Sequence, residues 1–237
     1  MESFEMNTIA LPFTADAILF DCDSTLSTIE GIDELAAMNH VTDAVKALTR
    51  TAMGETGLTT ALYAERLALT QPTAQQVDEI GQCYITHLTA DLLETLQRLT
   101  ALNKTIYIVS AGIEQAVKIL ATYLNIPLNR VYAVPVFFDA AGKFYDFDRS
   151  NPLARSDGKR DIVQQLKKIH QHIVLIGDGK NDLACQGLVD RFIGFGGNYR
   201  HAAVEAAATF YVRSPSMLAV LPYCLSEMEF ALQTPLK

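Results

Sequence analysis

Positive charge is in short supply in this chain. Lys and Arg number 19 against 27 Asp and Glu, a formal net charge of −8, and no basic run appears anywhere. A nucleic-acid backbone or an anionic membrane surface needs the opposite balance, so neither is an expected partner. Cysteine is scarce as well. Cys22, Cys83, Cys185 and Cys224 show no CxxC spacing and no disulfide density, which favours free buried thiols in a reducing compartment. No apolar run approaches the roughly 18 residues of a membrane span, and Met1-Glu2-Ser3-Phe4-Glu5 places acids where a secretion signal needs bases. A cytoplasmic location is therefore expected. Repeats and low-complexity tracts are also missing. What remains is 237 residues that are 49% apolar, ample for one large domain or a main domain with a smaller companion.

The stretch Ile18-Leu19-Phe20-Asp21-Cys22-Asp23-Ser24-Thr25-Leu26 organises the rest. Its apolar run reads as a buried strand ending in two carboxylates one residue apart. From Ser27 to Leu88 the pattern is helical, with Ile32, Leu35 and Ala36 and then Val41, Val45 and Leu48 at helical spacing and a capping box at Thr73 and Gln76. A helix facing inward through Leu92, Leu93, Leu96 and Leu99 leads to a second buried strand, Ile106 to Val109, ending at Ser110 and running into a helix with Ile113, Val117, Leu120 and Leu124. Val131 to Phe147, broken at Asp139-Ala140-Ala141-Gly142, suggests a β-hairpin. Asp157-Gly158-Lys159 opens a helix through Ile162, Val163, Leu166 and Ile169. A third buried strand, Ile173 to Ile176, ends in Gly177-Asp178-Gly179-Lys180-Asn181-Asp182. Short apolar runs at Phe192 to Phe195 and Thr209 to Val212 precede a last helix around Met217 to Leu225. This alternation predicts an α/β fold: a doubly wound parallel sheet, a Rossmann-like core, with an inserted helical cap and a small β-hairpin. The expected division is a core of residues 1–26 and 89–237 and a cap of residues 27–88.

Parallel strands put their carboxyl ends on one edge of the sheet, where ligands bind. That edge would gather Asp21, Asp23, Ser110, Asp178 and Asp182, with Lys159 opening a helix beside them. At an effective dielectric near 20, each close pair of carboxylates costs about 4 kcal/mol. A divalent ion and Lys159 supply the offsetting charge, and a protonated Asp23 acting as a general acid cancels the remainder. Oxygen donors without His or Cys nearby point to Mg²⁺. A calcium loop of the EF-hand kind is a poor fit, because its sixth and twelfth positions would be Leu26 and Ile32 instead of Gly and Glu.

The motifs Asp21-Cys22-Asp23-Ser24-Thr25, Ser110, Lys159 and Gly177-Asp178-Gly179-Lys180-Asn181-Asp182 closely resemble, in order and spacing, those of the haloacid dehalogenase superfamily of phosphatases. More narrowly the chain resembles the phosphoserine phosphatases, through Glu30-Gly31-Ile32-Asp33-Glu34-Leu35, Thr51-Ala52-Met53-Gly54, Glu65-Arg66-Leu67-Ala68-Leu69 and Ile193-Gly194-Phe195-Gly196-Gly197-Asn198. The resemblance implies Asp21 as nucleophile, forming an aspartyl-phosphate, and Asp23 as general acid and then base. It implies Mg²⁺ held by Asp21, Asp178 and the Asp23 carbonyl, with Asp182 orienting the metal shell or Lys159. Ser110, Ala111, Gly112, Gly179 and Asn181 would lie against the phosphate or substrate. Glu30 would take the substrate ammonium and Arg66 its carboxylate, with Met53 and Gly54 lining the pocket. The chain departs from the family pattern at Ala111, where a glycine is usual, at Lys180, where a small residue is usual, and at Thr59, which stands in place of an aromatic. The implied partner is a small phosphomonoester, O-phospho-L-serine first, bound by a monomer or homodimer. Another small phosphomonoester, phosphotransfer to a serine acceptor, and a non-hydrolytic phosphoamino-acid-binding regulator are the alternatives.

Overall fold

The computed structural model describes residues 9–53 and 58–233. Its first strand, β1 (Ala17–Phe20), consists of four apolar residues, all buried, as expected of a strand covered on both faces. The strand stops at Phe20. Cys22 to Leu26 form an irregular turn in which Ser24 takes a left-handed φ of 52°, a conformation that costs a non-glycine residue about 1 kcal/mol or more. The surroundings hold it there: Ser24 donates its amide to the Ile29 carbonyl, while the Asn198 amide donates to the Ser24 and Thr25 carbonyls and to Thr89 Oγ1.

Four helices follow, α1 (Gly31–Met38), α2 (Thr42–Met53), α3 (Thr60–Thr70) and α4 (Ala74–Thr86), in the stretch whose periodicity is helical. The capping box at the start of α4 is present in both directions, Thr73 Oγ1 accepting from Gln76 N and Gln76 Oε1 accepting from Thr73 N. After α5 (Leu92–Ala101) come β2 (Thr105–Ile113), α6 (Glu114–Tyr123), β3 (Val131–Val134) and the pair β4 (Val136–Phe138) and β5 (Phe144–Phe147). The chain ends through α7 (Gly158–Leu166), β6 (Ile173–Gly177), α8 (Lys180–Leu183), β7 (Arg191–Phe195), α9 (Ala202–Ala207), β8 (Phe210–Val212), α10 (Leu221–Cys224) and α11 (Glu227–Gln233).

Six strands form one parallel sheet in the order β3-β2-β1-β6-β7-β8. The order reverses between β1 and β6, and a crevice at such a switch point is where open α/β sheets bind ligands. Register fixes which residues meet there. Phe20 pairs with Ile108 on one side and Ile176 on the other, so Asp21, Ser110 and Asp178 all emerge just past the same row. The inserted helices are fastened to the core. A Cβ at Gly81 of α4 would lie 2.7 Å from Ile119 of α6, so the two helices approach as closely as glycine allows. The backbone of Ala74 and Pro72 bonds to Gly142 and Phe144 of the β4–β5 turn.

Several expectations are corrected. Val131 to Val134 belong to the edge of the main sheet, and the hairpin starts only at Val136, after Pro135 has removed a ladder donor. The Val131, Ala133 and Val134 side chains are buried, so burial claims that strand for the core. Leu93 is 50% exposed because the inward stripe runs through Leu92, Thr95, Leu96 and Leu99. Ile169 is exposed, since α7 ends at Leu166. The last predicted helix is a short 3₁₀ turn, Met217–Val220, followed by α10, and α11 lies beyond it.

The cysteines are free. Cys22, Cys185 and Cys224 have no exposed surface, and burial pushes the Cys185 and Cys224 thiols up to about 12. Only Cys83, on α4, is half-buried. Alkylation of the native protein at neutral pH should therefore modify Cys83 first and leave the other three until denaturant is added. Fast labelling of Cys185 or Cys224 in the folded protein would contradict this packing.

Candidate active site

Two distant chain segments converge on Lys159. Only 1% of this lysine is exposed, and its Nζ lies 2.7 Å from Asp21 Oδ2 and 2.5 Å from Asp182 Oδ1. Burial opposes the charge, but Asp182 and Asp21 outweigh it and hold the ammonium above its ordinary pKa. Gly158 makes this possible by letting α7 start against the Pro152 backbone, where a Cβ would fall 1.8 Å from the Pro152 carbonyl oxygen. Asp21 also accepts from the Cys22 amide at 2.7 Å. Asp182 receives the Gly179 amide at 3.0 Å, so each of its oxygens already has a donor. Asp178 accepts from Thr25 Oγ1 at 3.1 Å.

Among the described residues, Asp21, Asp178 and Asp182 each offer a carboxylate oxygen within 4.8 Å of the others. Asp21 and Asp178 keep 7% and 8% of their surface, whereas Asp182 is wholly enclosed. Burial, then Glu30, Asp21 and Asp182, push the Asp178 carboxyl far above its ordinary range. Three buried carboxylates with one ammonium are short of positive charge, and an all-oxygen donor set suits a hard divalent cation. The residues present therefore fit a metal, with Asp21 and Asp178 outermost and Asp182 tied behind them to Lys159 and Gly179.

Asp23 faces the other way. Its Oδ1 accepts from the Gly31 amide at 2.7 Å and from the Tyr84 hydroxyl at 2.6 Å, and its Oδ2 receives Ser110 Oγ at 3.4 Å. Burial raises its pKa against the two donors, with Asp21 adding to the rise. Ser110 Oγ in turn accepts from the Gly112 amide at 2.9 Å. The two carboxylates of the Asp21-Cys22-Asp23 stretch thus sit in opposite surroundings.

A cavity of about 80 Å³ opens on Asp23 and is walled by Glu30, Arg66, Ala111 and Gly112 together with Tyr63 and Tyr84. It brings the two expected charge partners, Glu30 on the turn before α1 and Arg66 on α3, into one chamber with the acid. Glu30 accepts from Ser24 Oγ at 2.7 Å, and burial, then Asp23, push its carboxyl up to about 8. Arg66 Nε is buried and has no partner among the described residues. Gly179 and Asn181 lie on the far side of the site: the Gly179 amide is taken by Asp182, and Asn181 Oδ1 accepts the Asp182 amide at 3.0 Å. Gly54 falls outside the described residues, as does the side chain of Met53. Tyr63 and Tyr84 are among the wall residues that sequence reasoning missed. Tyr84 continues the apolar stripe Val77, Ile80 and Gly81 of α4, and its one signal is a phenol that needs a partner when buried.

Residues 15–184 match the haloacid dehalogenase-like hydrolase family. The chain is 40% identical over 202 residues to human phosphoserine phosphatase, covering 84% of this chain and 90% of that one. It is 34% identical over 203 residues to the chloroplastic phosphoserine phosphatase of Arabidopsis thaliana, covering 84% and 69%. A phosphoserine phosphohydrolase-like protein from Francisella tularensis superposes with a TM-score of 0.76 at 27% identity, over 87% of this chain and 99% of that one. The chain belongs to the haloacid dehalogenase-like hydrolases and, within them, to the phosphoserine phosphatase family.

The raised carboxyls set the pH response of the metal-free protein. A carboxyl with a folded pKa above its unfolded value near 4.3 contributes stability that is present at low pH and lost as pH rises through the folded value. For Glu30 that window runs up to about 8, and Asp178 and Asp23 act in the same direction. The melting temperature without metal should fall between about pH 5 and 8, and a divalent cation should raise it more at pH 8 than at pH 5. A metal-free curve that rises over this range would contradict the assignment.

Proposed function

We propose that this chain is a Mg²⁺-dependent phosphomonoesterase that hydrolyses O-phospho-L-serine to serine and phosphate through an aspartyl-phosphate. The observation that carries the reading is the chamber that joins Asp23 to Glu30 and to the unpartnered, buried Arg66 Nε. A carboxylate and a guanidinium facing one small volume suit a zwitterion, the ammonium to Glu30 and the carboxylate to Arg66.

The residues then take these roles. Asp21, oriented by Lys159 and the Cys22 amide, attacks phosphorus, and the bond from phosphorus to the serine oxygen breaks. Asp23 delivers its proton to that oxygen. It then removes a proton from water, which attacks the same phosphorus and frees Asp21 and inorganic phosphate. Asp21, Asp178 and the Asp23 carbonyl would hold Mg²⁺, which when bound supplies charge neutralisation at the phosphoryl oxygens. Ser110 stands beside Asp23 to meet the phosphate. The helical insertion, residues 27–88, acts as a cap that excludes water while Asp21 reacts. A cytoplasmic location is consistent with four free cysteines, and no helix among the described residues is long and apolar enough to cross a membrane.

A panel of phosphomonoesters, with and without Mg²⁺, tests the reading. Phosphoserine should be turned over fastest, and only with metal; binding without turnover would support a regulator instead. Asp21→Asn should abolish hydrolysis. Arg66→Ala should cost phosphoserine about 2–4 kcal/mol in kcat/KM, roughly 30- to 1000-fold, while a simple aryl phosphate loses far less. Equal losses would remove the carboxylate clamp.

A further inference from the structure

Tyr84 is the largest of the side chains with almost no exposed surface, at 1%, yet it ends on a reacting group. Its hydroxyl donates to Asp23 Oδ1 at 2.6 Å. The position is built for it. A Cβ at Gly31 would lie 2.3 Å from the Tyr84 hydroxyl oxygen and 3.0 Å from its Cζ, so the hydroxyl occupies the space a side chain at residue 31 would fill. The helix carrying Tyr84 is itself seated on the core through Gly81 and Ile119, which fixes how far the hydroxyl reaches.

The consequence lies in how the two oxygens of Asp23 differ. Oδ1 receives two short bonds, from Tyr84 and from the Gly31 amide at 2.7 Å. Among the described residues Oδ2 has only Ser110 Oγ, at 3.4 Å, and it lies so close to Gly112 that a Cβ there would stand just 3.0 Å from it. An oxygen with two donors aimed at it has no geometry left for carrying a proton of its own.

We propose that Tyr84 is a positioning residue for the general acid: with the Gly31 amide it reserves Oδ1 of Asp23 as an acceptor and leaves Oδ2 as the oxygen that exchanges the proton. This rests on the hydrolytic reading above. As the bond between phosphorus and the leaving oxygen breaks, the proton passes from Oδ2 to that oxygen, and the negative charge left on Asp23 is met at Oδ1 by the two donors already in place. A hydrogen bond to a charged group is worth more than one to a neutral group, so Tyr84 favours the transition state over the bound ester.

Tyr84→Phe removes the hydroxyl and keeps the ring. For phosphoserine, whose alkoxide must be protonated to leave, kcat/KM should fall about 10- to 100-fold, the equivalent of a hydrogen bond to a charged group. KM should change little, because Glu30 and Arg66 are untouched. An aryl phosphate, whose phenolate leaves without a proton, should lose several times less in kcat/KM, a quantity that reports only steps up to phosphoryl transfer. Gly31→Ala, which displaces the hydroxyl, should reproduce the selective loss and add little in the Tyr84→Phe background. Equal losses for the two esters, or an unchanged phosphoserine kcat/KM, would overturn the role of Tyr84 while leaving the phosphatase reading intact. A wild-type protein that hydrolyses neither ester overturns both.

Discussion

An ammonium enclosed between two carboxylates is the constraint from which the site follows. Lys159 cannot be buried as a charge unless Asp21 and Asp182 stand against it, since a lone buried charge costs several kcal/mol even after relaxation. The three therefore fix one another. Asp182 is fully used, by Lys159 and by the Gly179 amide. Asp21 is held with one oxygen on Lys159 and one on the Cys22 amide. That leaves Asp178, on the neighbouring strand end, with an excess of negative charge around it that invites a cation. Sheet register does the rest, because Phe20, Ile108 and Ile176 lie in one row and the residues after them share an edge.

The second constraint is the turn after β1. Asp21 and Asp23 lie past the end of β1, at the start of the irregular path that the left-handed Ser24 turns, so the alternation of an extended strand does not set which way each faces. One carboxylate faces an ammonium, the other a phenol and a backbone amide. Different surroundings suit the same side chain to different work, which in the proposed function is attack at Asp21 and proton transfer at Asp23. The strain of that turn is held by Asn198, which bonds to three groups around it.

The sequence announces what depends on strand ends and misses what depends on packing. Buried apolar runs and the carboxylates that end them are local signals, so Asp21, Ser110, Lys159 and Asp178 could be placed on one edge before any coordinates. The resemblance to a family brought Glu30 and Arg66 into the same account, and the cavity joins them. Val131 to Val134 was misassigned because an edge strand and a hairpin arm share one composition, and only burial against the core separates them. Tyr84 stayed hidden for a related reason. A tyrosine on an apolar stripe looks like core, and it is core except for one oxygen atom. Its partner lies 61 residues away in the chain, a distance that no periodicity spans.

The central claim is that Asp21, held by Lys159, carries the phosphoryl group. Quenching the enzyme in acid during turnover of phosphoserine, digesting it and locating the phosphate by mass spectrometry tests this directly. The account predicts an acid-stable, base-labile acyl-phosphate on the peptide containing Asp21, lost on chase with unlabelled ester. Phosphate on another residue, or turnover in which no phosphoenzyme forms and water oxygen enters phosphate in the first chemical step, would contradict it.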